Sequence, residues 1–513
     1  VIIGLGPVGA TLANFLGLSG WHVAVVEKEK EIFPIPRAVH VDDEAQRIWQ
    51  AAGLIPYVRP AFGGYPPDRQ YINARGHVYF QTELSKEKPF GFQTHMYFHQ
   101  PTLEEGLRMG LDRFKTVTVL LGHEATHISN HSDHVSVSLK DEAGETVDIT
   151  AKYLVGCDGA RSFVRKSLDI KLLDLKFEQP WLVTDFYLKN GVTRDDLGLP
   201  YAHQQICDPA QPISFIPQGK KNHYRFEFML KEGISKAEAE DEAFVETKLS
   251  SVVDTSKIDV VRGAVYTFHS LVARDWLQGR TLIAGDAAHQ MPPFAGQGMC
   301  SGLRDAHNLA WKLDLVLSGL ADLPLLATYE AERKPHVTRM TRGAMFLGNL
   351  VQTQSRARAW VRDLLFQTIF KIPAVFGRLS RFALRAPHLQ TSLQGGEKPQ
   401  LSGLYFIQPS VQDADGLSKK LDDLFGNNFI VLGYLDDQSQ YFQQLPADFP
   451  IKYLTIGARA DVDDIRGSLN GWFHQHDIDA VILRPDRYIF GAYSSTTIAN
   501  AQFELLEQLS LKR

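Results

Sequence analysis

Short apolar runs alternate with segments of helical periodicity along most of the chain. The segment VIIGLGPVGATLANFLGLSGWHVAVVEKE passes from an apolar strand through a glycine turn into a helix, then into a second apolar strand that ends at Glu27. This order predicts a βαβ unit. The later segments KYLVGCDGARSFVRKSL and TLIAGDAAHQMPP repeat the step from an apolar strand into a glycine turn. They predict further strands of the same α/β type.

Residues 172–272 follow a different pattern. WLVTDFYL, ISFIP, HYRFEFML and VVRGAVYTFHS alternate apolar and polar positions and are separated by polar turns. Such alternation is typical of an antiparallel sheet, so a second domain is predicted here. Nine aromatic residues of this region are predicted to line its apolar face, most of them as core and a minority against a substrate: Phe177, Trp181, Phe186, Phe215, Tyr224, Phe226, Phe228, Tyr266 and Phe268.

The last part of the chain begins with a long predicted helix in GLRDAHNLAWKLDLVLSG, which ends at Gly319. Residues from about 325 to 390 are helical in pattern and rich in arginine, and 394–404 form a Gly/Pro linker. The remainder is predicted to be a separate small α/β unit that closes with an amphipathic helix.

Composition narrows the functional classes. The 513 residues exceed one hydrophobic core, and 44% hydrophobic with 22% charged residues is typical of a globular protein. A net charge of −5 without a long basic run favours a small-molecule partner over nucleic acid or a membrane. Three cysteines without CxxC spacing indicate neither a disulfide framework nor a zinc site, so no metal is expected and a cytoplasmic location is predicted. The chain begins at Val1 inside a predicted strand, so a few native residues are expected before it.

The first glycine turn carries the strongest chemical signal. Gly4, Gly6 and Gly9 form G-x-G-x-x-G between strand and helix, and Glu27 closes the next strand 18 residues after Gly9. The glycines let backbone N–H groups approach a pyrophosphate, and the carboxylate can accept ribose hydroxyls. A dinucleotide site is therefore predicted. Since the chain has only one such turn, one dinucleotide is expected to stay bound and another to visit.

Two further turns add a family resemblance. Asp158 and Gly159 lie in CDGARSFVR, and Gly285 and Asp286 lie in GDAAHQMPPFAGQG. Either dipeptide alone is a common turn. In this order, however, the three motifs resemble those of the group A FAD-dependent aromatic hydroxylases, which share the p-hydroxybenzoate hydroxylase fold. The strings PRAVHVDDEAQR, GDAAHQMPPFAGQGMCSGLRDAHNLAWKL and LRPDRYIFG are most similar to the 3-(3-hydroxyphenyl)propionate hydroxylase branch.

The resemblance implies an α/β fold, namely a Rossmann-like FAD-binding domain, an inserted antiparallel-sheet substrate domain and a C-terminal thioredoxin-like domain. The expected boundaries are 1–171 (FAD-binding domain with some substrate-pocket segments), 172–272 (substrate sheet), 273–345 (second part of the FAD-binding domain), 346–395 (helical connection) and 396–513 (thioredoxin-like domain). The last domain contains no cysteine, so it cannot exchange thiols, and packing or dimer support is its expected role.

The resemblance also assigns positions around tightly bound, non-covalent FAD. Those expected at the adenosine half are Gly4, Gly6, Pro7, Gly9, Glu27 and Lys28. Those expected at the diphosphate, the ribityl chain and the visiting nicotinamide are Arg37, Gln100, Asp158, Gly159, Arg161, Gly285 and Asp286. Those expected at the isoalloxazine are Pro293, Gly296, Gln297, Gly298 and Met299. For Gln100 a plain helix-capping role is an alternative.

The implied reaction is ortho-hydroxylation of a phenolic ring in aromatic catabolism. NADH or NADPH would reduce FAD, O₂ would form a flavin C4a-hydroperoxide, and the pocket would have to exclude water. A base near the ring would speed the reaction, because a phenolate is the better nucleophile. His40 is the first candidate. The other predicted catalytic residues are Pro293, Tyr224 and His269, with His203 as a further candidate base, Arg225 as a candidate clamp for a substrate carboxylate and His289 as a structural residue.

Other functions fit parts of the pattern. A non-oxygenating FAD-dependent reductase or redox-sensing protein would keep the same FAD fold, and a hydroxylase of a larger quinolone or polyketide would keep the same chemistry. An interaction protein that acts through its C-terminal domain leaves the three flavin motifs unexplained. The W-x-W-x-I-P element of flavin halogenases and the FxGxxxHxxxW element of Baeyer-Villiger enzymes are absent. The expected partners are a small aromatic substrate and O₂, and a homodimer is compatible with this picture.

Overall fold

The computed structural model describes residues 1–63, 69–82, 89–368, 372, 375 and 386–512. It contains an N-terminal α/β domain, a large sheet inserted into that domain, a helical segment and a C-terminal α/β domain. This is the α/β architecture predicted from the sequence, which is confirmed. Most of the predicted 346–395 connection beyond residue 368 lies outside the described residues.

The elements of the first 167 residues are, in chain order, β1 (Ile2–Ile3), α1 (Pro7–Leu18), β2 (Val23–Glu27), β3 (His40–Asp42), α2 (Asp43–Ala51), α3 (Ile55–Val58), β4 (Arg69–Ile72), β5 (Val78–Thr82), β6 (His95–Tyr97), α4 (Gln100–Met109), β7 (Val117–Leu121), β8 (Glu124–Asn130), β9 (Val135–Lys140), β10 (Thr146–Ala151), β11 (Leu154–Gly156) and α5 (Phe163–Ser167).

The elements that follow, up to residue 368, are β12 (Leu172–Leu188), β13 (His203–Ile206), β14 (Ile213–Pro217), β15 (His223–Met229), α6 (Lys236–Ala239), α7 (Glu242–Ser250), β16 (Ile258–Ala273), β17 (Leu277–Gln278), β18 (Thr281–Ile283), β19 (His289–Gln290), α8 (Gly298–Leu317), α9 (Pro324–Val351) and α10 (Arg356–Thr368). The C-terminal domain contains β20 (Gly395–Gly396), β21 (Ser410–Gln412), β22 (Ser418–Lys420), β23 (Phe429–Gly433), β24 (Ile451–Thr455), α11 (Ser468–His476), β25 (Ala480–Leu483), β26 (Ile489–Tyr493) and α12 (Ala501–Gln508).

A six-stranded sheet brings the three sequence motifs together. Its order is β17-β18-β11-β1-β2-β7, and β18, β11, β1, β2 and β7 run parallel. Parallel strands end at the same edge of a sheet, so the turns that follow β1, β11 and β18 are neighbours although they lie far apart in sequence. The helices α1 and α8 pack against each other beside this edge.

The substrate sheet is larger than the sequence predicts. Its eight strands have the order β19-β16-β12-β15-β14-β13-β4-β5, so residues 172–272 supply five strands and flanking segments supply β4, β5 and β19. The strand β4 joins β13 in parallel register, with Arg69 opposite His203. A parallel partner needs a long connection, and the local pattern gives no sign of it.

The prediction of one aromatic face on this sheet was wrong. Five of the nine aromatic residues pack in a core with Val245 and Leu249 of α7: Phe186, Phe215, Tyr224, Phe226 and Phe228. Trp181, Phe177 and Phe268 instead join Phe294 of the third motif. Neighbouring strand residues point to opposite faces, so the helix-covered face and the face toward the N-terminal domain are built from alternating residues.

The C-terminal domain is not a loosely tethered addition. Its five-stranded sheet, β20-β26-β25-β23-β24, shares a hydrophobic core with Trp311 and Leu315 of α8. A buried charge network joins the same two domains, because Glu332 of α9 accepts hydrogen bonds from Lys312 of α8 (2.7 Å) and from Arg484 of the C-terminal domain (2.7 and 3.0 Å). The packing role expected for this domain is thus supported by direct contacts with α8.

None of the described helices combines the length and the apolar character that a membrane span requires.

Candidate active site

The glycines of the first turn are of two kinds. Gly4 has φ +103°, and a Cβ there would lie 2.4 Å from the Cys157 carbonyl oxygen, while a Cβ at Gly9 would lie 2.0 Å from the carbonyl oxygen of Gly4. A Cβ at Gly6 would meet nothing within 4 Å. Fold geometry therefore requires Gly4 and Gly9, whereas Gly6 borders open space. The helix α1 begins there with Pro7 in its first turn and no side-chain cap, as an anion site requires.

Glu27 lies where a ribose acceptor is expected. Its Oε2 accepts a hydrogen bond from the backbone N–H of Leu5 (2.9 Å), which ties the end of β2 to the glycine turn, and its Oε1 accepts one from the N–H of Glu29 (3.1 Å). Each carboxylate oxygen keeps a lone pair for a ribose hydroxyl. Lys28 forms an exposed ion pair with Glu29 at 3.6 Å, and this contact is at the surface.

Arg37 and Asp286 face the same groove. Both side chains are exposed, and the Arg37 guanidinium is near enough to act electrostatically on the Asp286 carboxyl. The surrounding protein raises the pKa of Asp286 by desolvation, and His289 and Arg37 oppose this rise. Gln100 does not reach into the groove through its oxygen. That oxygen accepts the backbone N–H groups of Arg37 (2.8 Å) and Ala38 (2.7 Å), so Gln100 shapes the Arg37 loop.

A buried charge cluster holds the Arg37 loop from the sheet side. Arg225 donates to Asp185 (2.8 Å) and to the carbonyl oxygens of Pro36 (2.5 Å) and Arg37 (3.1 Å). Arg262 also donates to Asp185 and to the Pro36 carbonyl. The prediction of Arg225 as a clamp for a substrate carboxylate is corrected here, because its guanidinium is committed to Asp185 and the loop.

Replacing Arg225 by methionine should weaken FAD binding by about tenfold, because charge-assisted hydrogen bonds of about 1.5–3 kcal/mol would no longer hold the Arg37 loop. Titration of the apoprotein with FAD, followed by flavin fluorescence, measures this change. The matched control is Arg194→Met, since the Arg194 guanidinium contacts Tyr224 on the other face of the same sheet (3.2 Å). Equal FAD affinity in both variants would show that the loop does not depend on Arg225.

The middle motif lies against the first turn. The Asp158 Oδ2 accepts a hydrogen bond from the N–H of Val164 (3.0 Å), and its Oδ1 is buried without a hydrogen-bond partner among the described residues. Burial raises the pKa of this carboxyl. Gly159 has φ +77°, and Arg161 is exposed. An orphaned buried oxygen next to the Gly4 turn fits a bound ligand that supplies a donor.

The third motif forms a turn that leads into α8. Pro293–Ala295 is a single 3₁₀ turn, Gly296 has φ +66°, and α8 begins at Gly298 without a side-chain cap. The N–H groups at this helix start and its positive dipole end suit an anionic or electron-rich ring edge. Gln297 is buried, and its Oε1 accepts a hydrogen bond from Arg304 (3.0 Å), so its side chain supports the turn from inside.

His40 lies directly beneath this turn. Its Nδ1 is 3.3 Å from the Gly296 carbonyl oxygen, and its Nε2 is 2.8 Å from Nδ1 of His95. Burial, with contributions from His95 and Arg69, lowers the pKa of His40 to about 3. A neutral imidazole of such low basicity is a poor acceptor for a phenolic proton. The contacts of His40 with Gly296 and His95 support the turn, and its role as base stays a prediction.

Two other predicted catalytic residues lie away from the turn. Tyr224 belongs to the aromatic core under α7, and its hydroxyl accepts a hydrogen bond from Arg194 (3.2 Å). His269 follows Phe268, which packs toward Phe294, so His269 points to the opposite face. These two predictions are corrected. His289, predicted to be structural, is buried and bonds Asp305 (2.6 Å).

Several polar residues at the turn were missed by sequence reasoning. Arg69 donates to the carbonyl oxygen of Phe294 (3.1 Å) and interacts with the phenols of Tyr71 and Tyr97. The Tyr97 hydroxyl is 2.5 Å from Nδ1 of His203, the further candidate base. Burial lowers the pKa of His203 well below its ordinary value. Arg69, Tyr71 and Tyr97 come from β4 and β6, where the sequence has no motif. The parallel pairing of β4 with β13 brings Arg69 and Tyr71 to the site, and the pairing of β6 with β3 places Tyr97 opposite His40.

An aromatic cluster adjoins the same turn. Trp181 packs edge-on against Phe294 with ring centroids 5.8 Å apart, and Phe268 and Phe177 lie beside them. Leu347 and Val351 of α9 complete the cluster. Its buried apolar side chains can exclude water from a ring bound at the turn.

This chain is similar to known proteins over its whole length. The family described as "FAD binding domain" matches residues 1–344, and the family described as "HcaD C-terminal domain" matches residues 403–508. A 3-(3-hydroxy-phenyl)propionate/3-hydroxycinnamic acid hydroxylase of Shigella sonnei is 32% identical over 536 residues, which cover 100% of this chain and 95% of the relative. A protein of the same name from Mycobacterium sp. is 34% identical over 519 residues, 96% of this chain and 88% of the relative. The flavin-dependent monooxygenase PieE, solved with FAD and substrate, has the same fold, with TM-score 0.82, 20% identity and coverage of 99% and 98%.

Proposed function

The chain belongs to the FAD-dependent aromatic hydroxylases, and from this premise we propose that it hydroxylates a phenol with a short carboxylate side chain, next to the existing hydroxyl group. The protein is a flavin monooxygenase that acts on an aromatic ring with O₂ and NAD(P)H. The identity of the substrate is what we propose. The names of the relatives from Shigella sonnei and Mycobacterium sp. both refer to hydroxylated phenyl acids of this kind.

The residues of the groove fit FAD. Gly6 and the start of α1 would hold the diphosphate, Glu27 the ribose, Arg37 and Asp286 the middle of the cofactor, and the start of α8 the ring. When bound, FAD takes up hydride from the nicotinamide and activates O₂ for transfer of one oxygen atom to the substrate. The chain itself binds and orients both partners and keeps water out through the aromatic cluster at Phe294.

One observation carries the proposal of a carboxylated phenol. At the Pro293 turn an aromatic cluster and a guanidinium meet, since Trp181 packs against the Phe294 ring and Arg69 donates to the Phe294 carbonyl oxygen. The cluster can take an aromatic ring, and the five N–H donors of a guanidinium can bind a carboxylate as well as the turn. A ring and a carboxylate within one small molecule match this pair of features.

The substrate is tested with the yellow protein and a panel of phenols. We expect NAD(P)H oxidation to be stimulated most by 3-(3-hydroxyphenyl)propionate and related acids, with a product one oxygen atom heavier and hydroxylated ortho to the phenol. A rate of NAD(P)H oxidation that is the same with and without each phenol would favour the reductase alternative. Stimulation only by polycyclic substrates would favour a polyketide hydroxylase; aklavinone-11 hydroxylase has this fold, with TM-score 0.81 and 22% identity.

Replacing Arg69 by methionine should raise KM for 3-(3-hydroxyphenyl)propionate by about tenfold or more, because a charge-assisted hydrogen bond contributes about 1.5–3 kcal/mol. The control is a second substrate, 3-propylphenol, which has the same ring and an uncharged side chain. The KM for 3-propylphenol should change little. An equal rise for both substrates would mean that Arg69 supports the turn and does not bind the carboxylate.

The location and the assembly are proposals as well. All three cysteines, Cys157, Cys207 and Cys300, are free thiols, which is compatible with the reducing cytoplasm as the site of action. A homodimer stays a prediction, which the mass of the purified holoprotein in solution by light scattering would test.

A further inference from the structure

We propose that Glu227 of β15 is the residue that accepts the phenolic proton of the substrate. The inference rests on the proposed function, since it names the base for hydroxylation of a phenol. It replaces His40 in that role with a carboxylate from the sheet that faces the flavin groove.

The strand register places Glu227 on the groove side of the sheet. Residues two apart on a strand share a face, so Glu227 points the same way as Arg225 and Met229. Arg225 bonds the carbonyl oxygens of Pro36 and Arg37, and Met229 joins the cluster around Phe294. Glu227 therefore lies between the loop at the flavin groove and the aromatic cluster.

The neighbouring strands confirm this orientation. Glu227 lies opposite Ser214 of β14, which donates to Gln205 (2.7 Å), and Gln205 in turn contacts His203 (2.9 Å). His203 is opposite Arg69, whose guanidinium reaches the Phe294 carbonyl. Arg69 thus ties this face to the Pro293 turn, and Glu227 lies on the same face.

The carboxylate is buried and lacks a donor. The residue is 7% exposed, and no hydrogen bond to its carboxylate forms among the residues that the structure describes. The nearest charged contact is Arg225 Nη1 at 3.7 Å, longer than a hydrogen bond. A buried carboxylate in this state gains free energy from any ligand that brings an O–H group.

Burial raises the pKa of the Glu227 carboxyl above its ordinary value. Burial raises the pKa of Glu227, Arg225 and Arg262 lower it, and Asp185 raises it. His203, on the neighbouring β13, stays neutral because burial holds its pKa well below the ordinary value. The net pKa of Glu227 is raised, so its carboxylate is a stronger base than an exposed glutamate.

The proton transfer balances over one turnover. The phenolic O–H bond breaks, an O–H bond to a Glu227 oxygen forms, and the electron pair stays on the phenol oxygen, which enriches the ortho carbon. After that carbon has gained its hydroxyl, its C–H bond breaks, the proton passes to solvent and the electron pair of that bond restores the aromatic ring. The neutral Glu227 then returns its proton to the phenol oxygen, and the carboxylate is ready for the next substrate.

The experiment compares Glu227→Gln with the wild type on phenols of different acidity. With 3-(3-hydroxyphenyl)propionate we expect kcat to fall by about 100-fold, at the low end of acid–base effects, while the substrate Kd from the flavin absorbance change stays within a few-fold. With a polyfluorinated analogue that is already ionised at the assay pH, the loss should shrink to a few-fold. An unequal loss of this kind is the signature of a base.

The pH profile gives a second readout. The wild type needs the ionised carboxylate, so its kcat should fall as the pH drops through the raised pKa of Glu227, and this acid limb should disappear in Glu227→Gln. Glu227→Asp keeps a carboxylate and should retain the limb at a reduced rate. It also serves as the test if the glutamine variant does not fold. The control Glu178→Gln removes an exposed acid from the same sheet and should leave both profiles unchanged.

Failure of this inference is distinct from failure of the proposed function. If the wild type hydroxylates phenols and Glu227→Gln loses the same factor on neutral and ionised substrates, Glu227 is not the base. Loss of FAD from the variant, with normal chemistry in the fraction that keeps it, would assign Glu227 to the support of Arg225 and overturn the inference. A wild type that hydroxylates no phenol refutes the proposed function itself.

Discussion

Alanine at Gly9 is expected to abolish FAD binding and to destabilise the apoprotein. The added Cβ would lie 2.0 Å from the carbonyl oxygen of Gly4 and 3.2 Å from Cβ of Cys157. Backbone atoms cannot move aside as a flexible side chain can, so the turn between β1 and α1 must open. Overpacking of this kind costs about 1–3 kcal/mol and sometimes more. Thermal unfolding of the apoprotein and retained flavin absorbance measure the two parts of the effect.

Gly6→Ala is the matched control within the same motif. A Cβ at Gly6 meets no protein atom within 4 Å, and its φ of −71° is open to any residue. The apoprotein should therefore unfold at the wild-type temperature, while FAD affinity falls by about tenfold or more, because the methyl group enters the space next to the start of α1 where the diphosphate would lie. Wild-type FAD affinity in Gly6→Ala would place the dinucleotide elsewhere.

Removal of the carboxylate of Glu332 is expected to produce the second large effect. Lys312, Arg484 and Asn308 all donate to Glu332, and all four side chains are buried. With alanine at this position, two cations lose their shared anion in the interior. Breaking a buried ion pair by removing one partner costs about 3–5 kcal/mol. Urea unfolding should show the loss, and Glu332→Ala/Lys312→Met, which removes one of the stranded cations, should recover part of it.

The contribution of Glu332 to the free energy of unfolding should depend on pH. Burial alone would raise the pKa of Glu332, but Arg484 and Lys312 outweigh it and hold the pKa well below its ordinary value. The stabilisation is therefore fully present above the pH at which an unfolded glutamate titrates, and it is lost as the pH falls toward the folded pKa. The difference in unfolding free energy between wild type and Glu332→Ala should shrink in acid.

An ion pair at the protein surface provides the control for Glu332→Ala. Glu142 forms an exposed ion pair with Lys30, and such pairs add little to stability. Glu142→Ala should thus unfold like the wild type. If Glu332→Ala does so too, the charge network between α8, α9 and the C-terminal domain is not what joins the domains.

The sequence signals for the glycine turns are local. Gly4, Gly9 and Glu27 specify a turn and a strand end within one βαβ unit, and the structure shows the steric reason for both glycines. The order of the three glycine motifs was also sufficient to identify the family, and the matched families and full-length relatives bear this out. No comparable local signal exists for residues that reach the groove from a distant strand.

The C-terminal domain shows the limit of pattern reading. Its apolar strands and its lack of cysteine predicted a small α/β unit without thiol chemistry. That Arg484 would share an anion with Lys312, 172 positions earlier in the chain, could not be seen in the pattern. A buried charge looks the same in sequence as a solvated one, because only tertiary packing decides what surrounds it.

The amino-acid sequence by itself determined the fold class, the flavin chemistry and the geometry of the glycine turns, since turn geometry depends on a few neighbouring residues. The tertiary structure alone decided which side of the substrate sheet faces the reaction. Phe226 and Glu227 are neighbours on β15, yet Phe226 packs under α7, whereas Glu227 lies beside Arg225, which bonds the Pro36 carbonyl oxygen. The alternation of side chains along a strand shows which residues share a side, but it does not show what each side packs against. Here one side packs under α7, and the other meets the Pro293 turn and α9 with both apolar and charged side chains.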